Sequence, residues 1–175
     1  PINDDPTLDA ISDVNINEDA GEQTVNLTGI ATGGSEVQQL RVTATSDNTG
    51  LIPDPTVTYS SAEATGTLTF TPAADQFGTA TVTVTVEDGG LDNNLATPGD
   101  NATEVRTFTV NVAEVNDDPT LDAISDININ EDAGEQTVNL TGITAGSGET
   151  QVLSITAVSD NTSLIPDPTV DFDGQ

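Results

Sequence analysis

The sequence predicts an all-β protein made of immunoglobulin-like Greek-key sandwiches repeated in tandem. Three observations carry that expectation. The composition is a strand-and-turn vocabulary, short runs alternate apolar and polar residues between turn signals, and a long stretch recurs almost unchanged.

Hydrophobic residues make up 34% of the 175-residue chain and aromatic residues 3%, with one Tyr, four Phe and no Trp. A core must therefore be assembled from Val, Ile, Leu and Ala. Val and Thr favour the pleated backbone, while Gly, Asn, Asp and Pro favour turns. No window carries a sustained 3.6-residue apolar period, so no amphipathic helix is expected.

The strands follow in order. Val14 to Ile16 and Glu22 to Thr28 read as the first two. Gln38 to Thr45 alternates, with Leu40, Val42 and Ala44 on one face. Leu51-Ile52-Pro53-Asp54-Pro55 reads as a turn, because neither proline can donate to a ladder. Thr56 to Ser60 and Thr65 to Thr71 come next, the latter with Leu68 and Phe70 inward. Gly78 to Glu87 places Ala80, Val82, Val84 and Val86 on one face, and Thr107 to Val115 closes with Phe108, Val110 and Val112. The connection Asp88 to Thr103 is long, polar and rich in glycine. About seven strands in roughly 110 residues is the count of an immunoglobulin-like sandwich.

The internal repeat sets the organisation. The segment beginning at Asn3 recurs from Asn116, 113 residues later, and the register holds without a gap through Ser46 to Val57 and Ser159 to Val170. About three quarters of the paired positions are identical. A period of that length matches a whole domain rather than a solenoid unit. Residues 1–115 are expected to form a complete repeat, and residues 116–175 the N-terminal half of the next. Either that half belongs to a longer chain, or strands of another copy complete it.

Charge narrows the function. Thirty acidic residues face two arginines, Arg41 and Arg106, with no Lys and no His, for a formal charge of −28. Affinity for phosphate comes mostly from Lys and Arg, so nucleic acid and anionic membranes are not expected partners. No apolar run approaches the roughly 20 residues of a membrane span. Without His or Cys there is no histidine-dependent nucleophile and no thiolate or imidazole metal site. Carboxylate pairs abound, but no aromatic-lined cleft for sugar accompanies them, and no enzyme is expected. The two arginines are expected to pair with nearby acids on the sheet. Thr32-Gly33-Gly34-Ser35 is expected to be a β-turn, and the Asn-x-Ser/Thr matches at Asn26, Asn101, Asn139 and Asn161 are of the kind that arise by chance in such a composition.

Four motifs carry a family resemblance. Glu114-Val115-Asn116-Asp117-Asp118-Pro119 resembles the cadherin-type linker, with Glu in place of its first Asp. Val86-Glu87-Asp88-Gly89-Gly90 resembles the Asp-Gly after a late cadherin strand, Asp75-Gln76-Phe77-Gly78 its acidic loop, and Asn17-Glu18-Asp19-Ala20 its acidic bend. The whole repeat is similar to bacterial cadherin-like, Ig-like tandem repeats of large surface adhesins and biofilm proteins.

The resemblance implies extracellular localisation, adhesion, and calcium at junctions between neighbouring repeats of the chain. One junction would draw on Glu18, Asp75, Glu114, Asn116, Asp117 and Asp118. The upstream junction would draw on Asn3, Asp4, Asp5 and Asp88. All offer the hard oxygen ligands that Ca²⁺ takes. The Asp-x-Asp pair that completes the cadherin cluster has no clear counterpart, and the acidic loop lacks a second acid. A second interpretation of the same residues therefore stays open: a polar turn stiffened by Pro119, with Asp side chains capping backbone amides. The expected function is a calcium-stiffened structural or adhesive spacer; the alternative is a metal-free homopolymer with strands paired between chains.

Overall fold

The structure, a computed structural model, describes residues 2–174 and divides into two units, with the boundary between Val115 and Asn116. The first unit holds seven strands: β1 Val14–Asn17, β2 Gln23–Thr28, β3 Leu40–Ser46, β4 Thr56–Thr58, β5 Thr65–Phe70, β6 Gly78–Asp88 and β7 Thr103–Ala113. They form a four-stranded sheet in the order β1-β7-β6-β3 and a three-stranded sheet in the order β2-β5-β4. This is the immunoglobulin-like arrangement. β1 runs parallel to β7, Val14 opposite Val110 and Asn17 opposite Ala113, and the other pairings are antiparallel.

Upstream of β1, the chain first touches the other sheet, where Thr7 N–H donates to Ala31 O at 2.8 Å and Asp9 N–H to Thr28 O at 3.0 Å. The opening segment thus crosses from one sheet to the other, and Leu8 is buried on the way.

Two-residue periodicity explains the core. β6 turns Ala80, Val82, Val84 and Val86 inward and its threonines outward, and β7 answers with Phe108, Val110 and Val112. Leu27, Leu68 and Phe70 close the core from the opposite sheet. Each fully buried Val or Leu contributes about 1.5–3 kcal/mol relative to exposure.

Two strand starts differ from the sequence expectation by two residues or more. β7 begins at Thr103, four residues early, because Glu104 and Arg106 pair with each other there while Val105 faces solvent. β3 begins at Leu40, Gln38 being diverted into a side-chain network. The Leu51–Ile52 turn holds, with both N–H groups donating to Asn48 O, yet both side chains are core plugs, at 4% and 0% exposure.

In the second unit the same local turns form without the ladders. The Thr120–Thr144 bridge repeats the Thr7–Ala31 bridge, and Leu164 and Ile165 N–H donate to Asn161 O at 3.0 Å each. Among the described residues of this unit there is no strand. The apolar side chains stand open: Leu121 is 48% exposed against 2% for its counterpart Leu8, and Leu164 is 74% exposed against 4% for Leu51.

Candidate functional site

Acidic and amide side chains gather at both ends of the first sandwich. One end forms where β6 stops. Asp88 is fully buried, and its Oδ1 accepts from Gly90 N–H and Ala102 N–H, both at 2.9 Å, which pins the two ends of the following loop. Gly90 sits at φ +60°, and a Cβ there would lie 2.6 Å from Asp100 Oδ1, so the loop requires glycine.

Asn3 reaches into this corner. Its Nδ2 lies 3.2 Å from Asp88 Oδ1, 3.1 Å from Asp88 Oδ2 and 3.1 Å from Asp100 O. Its Oδ1 accepts from Gln38 Nε2 at 2.6 Å, and the same nitrogen donates to Glu36 Oε2 at 3.1 Å. Glu36 Oε2 in turn accepts from Asp4 N–H at 3.1 Å. Gln38 Oε1 is buried without a hydrogen-bond partner. Asp5 contributes its carbonyl, against which Gly33 packs so closely, at φ +77°, that a Cβ would lie 2.3 Å from the oxygen. The Gly33-Gly34 segment is a turn.

The other end is built on the acidic bend after β1. Glu18 is buried; its N–H donates to Ala113 O at 2.9 Å, and its Oε1 accepts from Val115 N–H at 2.6 Å, so it clasps the exit of β7. Asp19 and Asp75 both adopt positive φ, 58° and 55°, in the left-handed region that Asp tolerates better than most residues. Asp75 N–H donates to Asp19 Oδ1 at 3.1 Å. Asp132, the counterpart of Asp19, repeats that backbone at φ 62°. Glu114 lies exposed beyond β7.

Asn116, Asp117 and Asp118 belong to the second unit. There Asn116 Oδ1 accepts from Gln151 Nε2 at 2.7 Å, Asp117 N–H donates to Glu149 Oε1 at 2.8 Å, and Asn116 Nδ2 turns to Asp117 O at 3.0 Å. Asp118 is exposed.

The structure thus brings Asn3, Asp4, Asp5 and Asp88 to one end of the first unit, and Glu18 and Asp75 to the other. Sequence reasoning missed Glu36, Gln38, Asp100 and Asp19. A signal for two of them was present. Glu36-x-Gln38 recurs as Glu149-x-Gln151 inside the most divergent stretch of the repeat, where Val37, Gln39 and Arg41 become Thr150, Val152 and Ser154.

Neither arginine approaches these ends as an ion-pair partner. Arg41 pairs with Glu87 across β3 and β6, Nε at 3.1 Å, and Arg106 pairs with Glu104; among the described residues these are the ion pairs. Asn101 Nδ2, 3.0 Å from Glu87 Oε1, is the main cause holding the Glu87 carboxyl below its ordinary range, with Arg41 adding to it against partial desolvation. Both arginines therefore pair with nearby acids, as expected.

No family model matches the chain, and no curated protein matches it. Among solved structures, it is similar to the S-layer protein SbsC domains 4 and 5, at 21% identity over 62% of this chain and 47% of that one, TM-score 0.37. A longer SbsC structure, domains 4–9, matches at 18% identity over 89% of this chain and 24% of that one, TM-score 0.38. The titin domains z1z2 in complex with telethonin match at 13% identity over 71% of this chain and 55% of that one, TM-score 0.37. The chain spans about half the length of the two-domain SbsC structure. Its all-β, immunoglobulin-like architecture stands on its own strand order.

Proposed function

We propose that the chain is a structural repeat module of an extracellular surface protein, a spacer of the cadherin-like kind whose ends take calcium. The observation that carries this reading is the corner at Asp88. A fully buried carboxylate there has no cationic side chain, and Asn3 Nδ2 stands among three oxygens, two from Asp88 and one from Asp100.

That position suits a hard cation. Ca²⁺ takes about six to eight oxygens from carboxylates, amide oxygens and carbonyls. Asp88 Oδ2 and Asp100 O supply such atoms, and the buried Gln38 Oε1 is a further acceptor in want of a partner. At the other end Glu18 and Asp19, in the bend after β1, and Asp75, in the turn between β5 and β6, offer carboxylates. Bound calcium would offset the self-repulsion of a −28 chain and stiffen the ends, where neighbouring repeats meet.

The test is thermal unfolding of this chain in EDTA, in CaCl₂ and in MgCl₂ at matched ionic strength. A ligand at about 100 times its Kd stabilises by about 2.7 kcal/mol, roughly 10 °C in Tm for a domain of this size. A calcium-specific rise of that order supports the reading. Superimposed curves in all three conditions overturn the calcium assignment.

A further inference from the structure

Glu36 and Gln38 precede β3, in the stretch where the two copies of the repeat diverge most, yet both recur there while Val37 and Gln39 beside them become Thr150 and Val152. Both copies make the same bonds. In the first unit Glu36 Oε2 accepts from Asp4 N–H and from Gln38 Nε2, each at 3.1 Å, and Gln38 Nε2 also donates to Asn3 Oδ1 at 2.6 Å. In the second unit Glu149 accepts from Asp117 N–H at 2.8 Å and from Gln151 Nε2 at 2.7 Å, and Gln151 Nε2 donates to Asn116 Oδ1 at 2.7 Å.

In the first unit the order of donors and acceptors is forced from both ends. A carboxylate only accepts, and Glu36 and Asp88 stand at the two ends of this chain of bonds. Gln38 must turn its nitrogen to Glu36, and the second hydrogen of that nitrogen then meets Asn3, which must answer with its oxygen. Asn3 Nδ2 is left for Asp88, where it lies. Reversing the Gln38 amide would set Oε1 against two acceptors. The cost of the orientation is visible in that Oε1, which is buried with no hydrogen-bond partner because the nitrogen is needed twice.

We propose that Glu36-x-Gln38, and Glu149-x-Gln151 in the second unit, form a metal-independent latch that fixes the first two residues of each Asn-Asp-Asp-Pro linker onto its own repeat. The latch goes beyond the calcium reading and does not rest on it, since every bond in it is made between protein atoms. It ties the linker to the connection ahead of β3, and in the first unit Asn3 carries the tie on to Asp88 at the end of β6. Just before the second linker, Val115 N–H is held by Glu18 Oε1 at 2.6 Å. Residues 115, 116 and 117 thus each bond a side chain of their own unit, and the linker stays ordered at these positions without calcium.

Amide hydrogen exchange, followed by NMR on the whole chain in EDTA, tests the latch, and the two units serve as controls for each other. Asp4 and Asp117 N–H should exchange roughly tenfold slower than in an unstructured chain. Glu36→Ala should remove that protection from Asp4 and leave Asp117 unchanged, and Glu149→Ala should do the reverse. Glu36→Gln, whose side-chain oxygen still accepts, should keep Asp4 protected. Gln38→Glu, which sets a carboxylate against both Glu36 and Asn3 Oδ1, should speed Asp4 as Glu36→Ala does. Three results would overturn the proposal: unprotected Asp4 and Asp117 in EDTA, protection that arises only on adding CaCl₂, or a Glu36→Ala variant in which both amides speed up together.

Discussion

The clasp at Asn3 makes the sharpest quantitative claim. Asn3→Ala removes a donor shared between both oxygens of a fully buried carboxylate and a backbone carbonyl, at 3.1–3.2 Å. A hydrogen bond to a charged group is worth about 1.5–3 kcal/mol, and Asn3 is half-buried, so water regains part of that loss. The expected cost is about 2 kcal/mol, or roughly 6–10 °C in Tm. Asn3→Asp, nearly isosteric, sets a second carboxylate against Asp88 and should cost more than Asn3→Ala in EDTA. Urea unfolding followed by tyrosine fluorescence reads the first unit alone, because Tyr59 is the single tyrosine, packs against that core, and the chain has no tryptophan. A loss below about 0.5 kcal/mol for Asn3→Ala, the range of an ordinary surface substitution, with Asn3→Asp no worse, would refute the role of the amide as the donor to Asp88.

Two further outcomes follow from the same geometry. Ile52→Ala should destabilise the first unit by about 2–5 kcal/mol, whereas its counterpart Ile165→Ala should cost the monomeric chain less than about 0.5 kcal/mol, both read by urea unfolding with far-UV circular dichroism in dilute solution. Asn101→Ala should move the Glu87 titration up toward its ordinary value of 4.5, followed by NMR of the side-chain carboxyl. The sign is that of a depressed acid: the stabilisation is present above the unfolded pKa and is lost as pH falls below 4.5 through the folded pKa, so the variant narrows the acid end of the stability curve.

Much of the fold was legible because burial in a sandwich imposes a period of two. Ala80 to Val86 and Phe108 to Val112 could face only one way, and the Asn48–Ile52 turn recurs intact in the second unit, so nearby residues encode it. Legibility failed where the alternation inverts, at Glu104, Val105 and Arg106, because two charges that satisfy each other occupy the core-facing parity. Parallel pairing of β1 with β7 was also unreadable, since nothing local to Val14–Asn17 specifies a partner about 96 residues away. The acidic motifs of the first unit lie at the two ends of its sandwich, but nothing in them names their amide partners. Gln38 sits on an alternating run and reads as strand, and only the approach of Asn3 reveals it as part of the clasp.

The parallel register of β1 and β7 has a mechanical consequence. The chain enters the first sandwich at the Asn3 end and leaves past Ala113 at the other. Tension along a tandem array would pull β1 backward and β7 forward. The strands lie side by side in the same direction, so their bonds, from Val14–Val110 to Asn17–Ala113, are loaded in shear and must give way together. A hairpin pulled from its open end yields one rung at a time. This domain would instead hold its length until the whole patch slips.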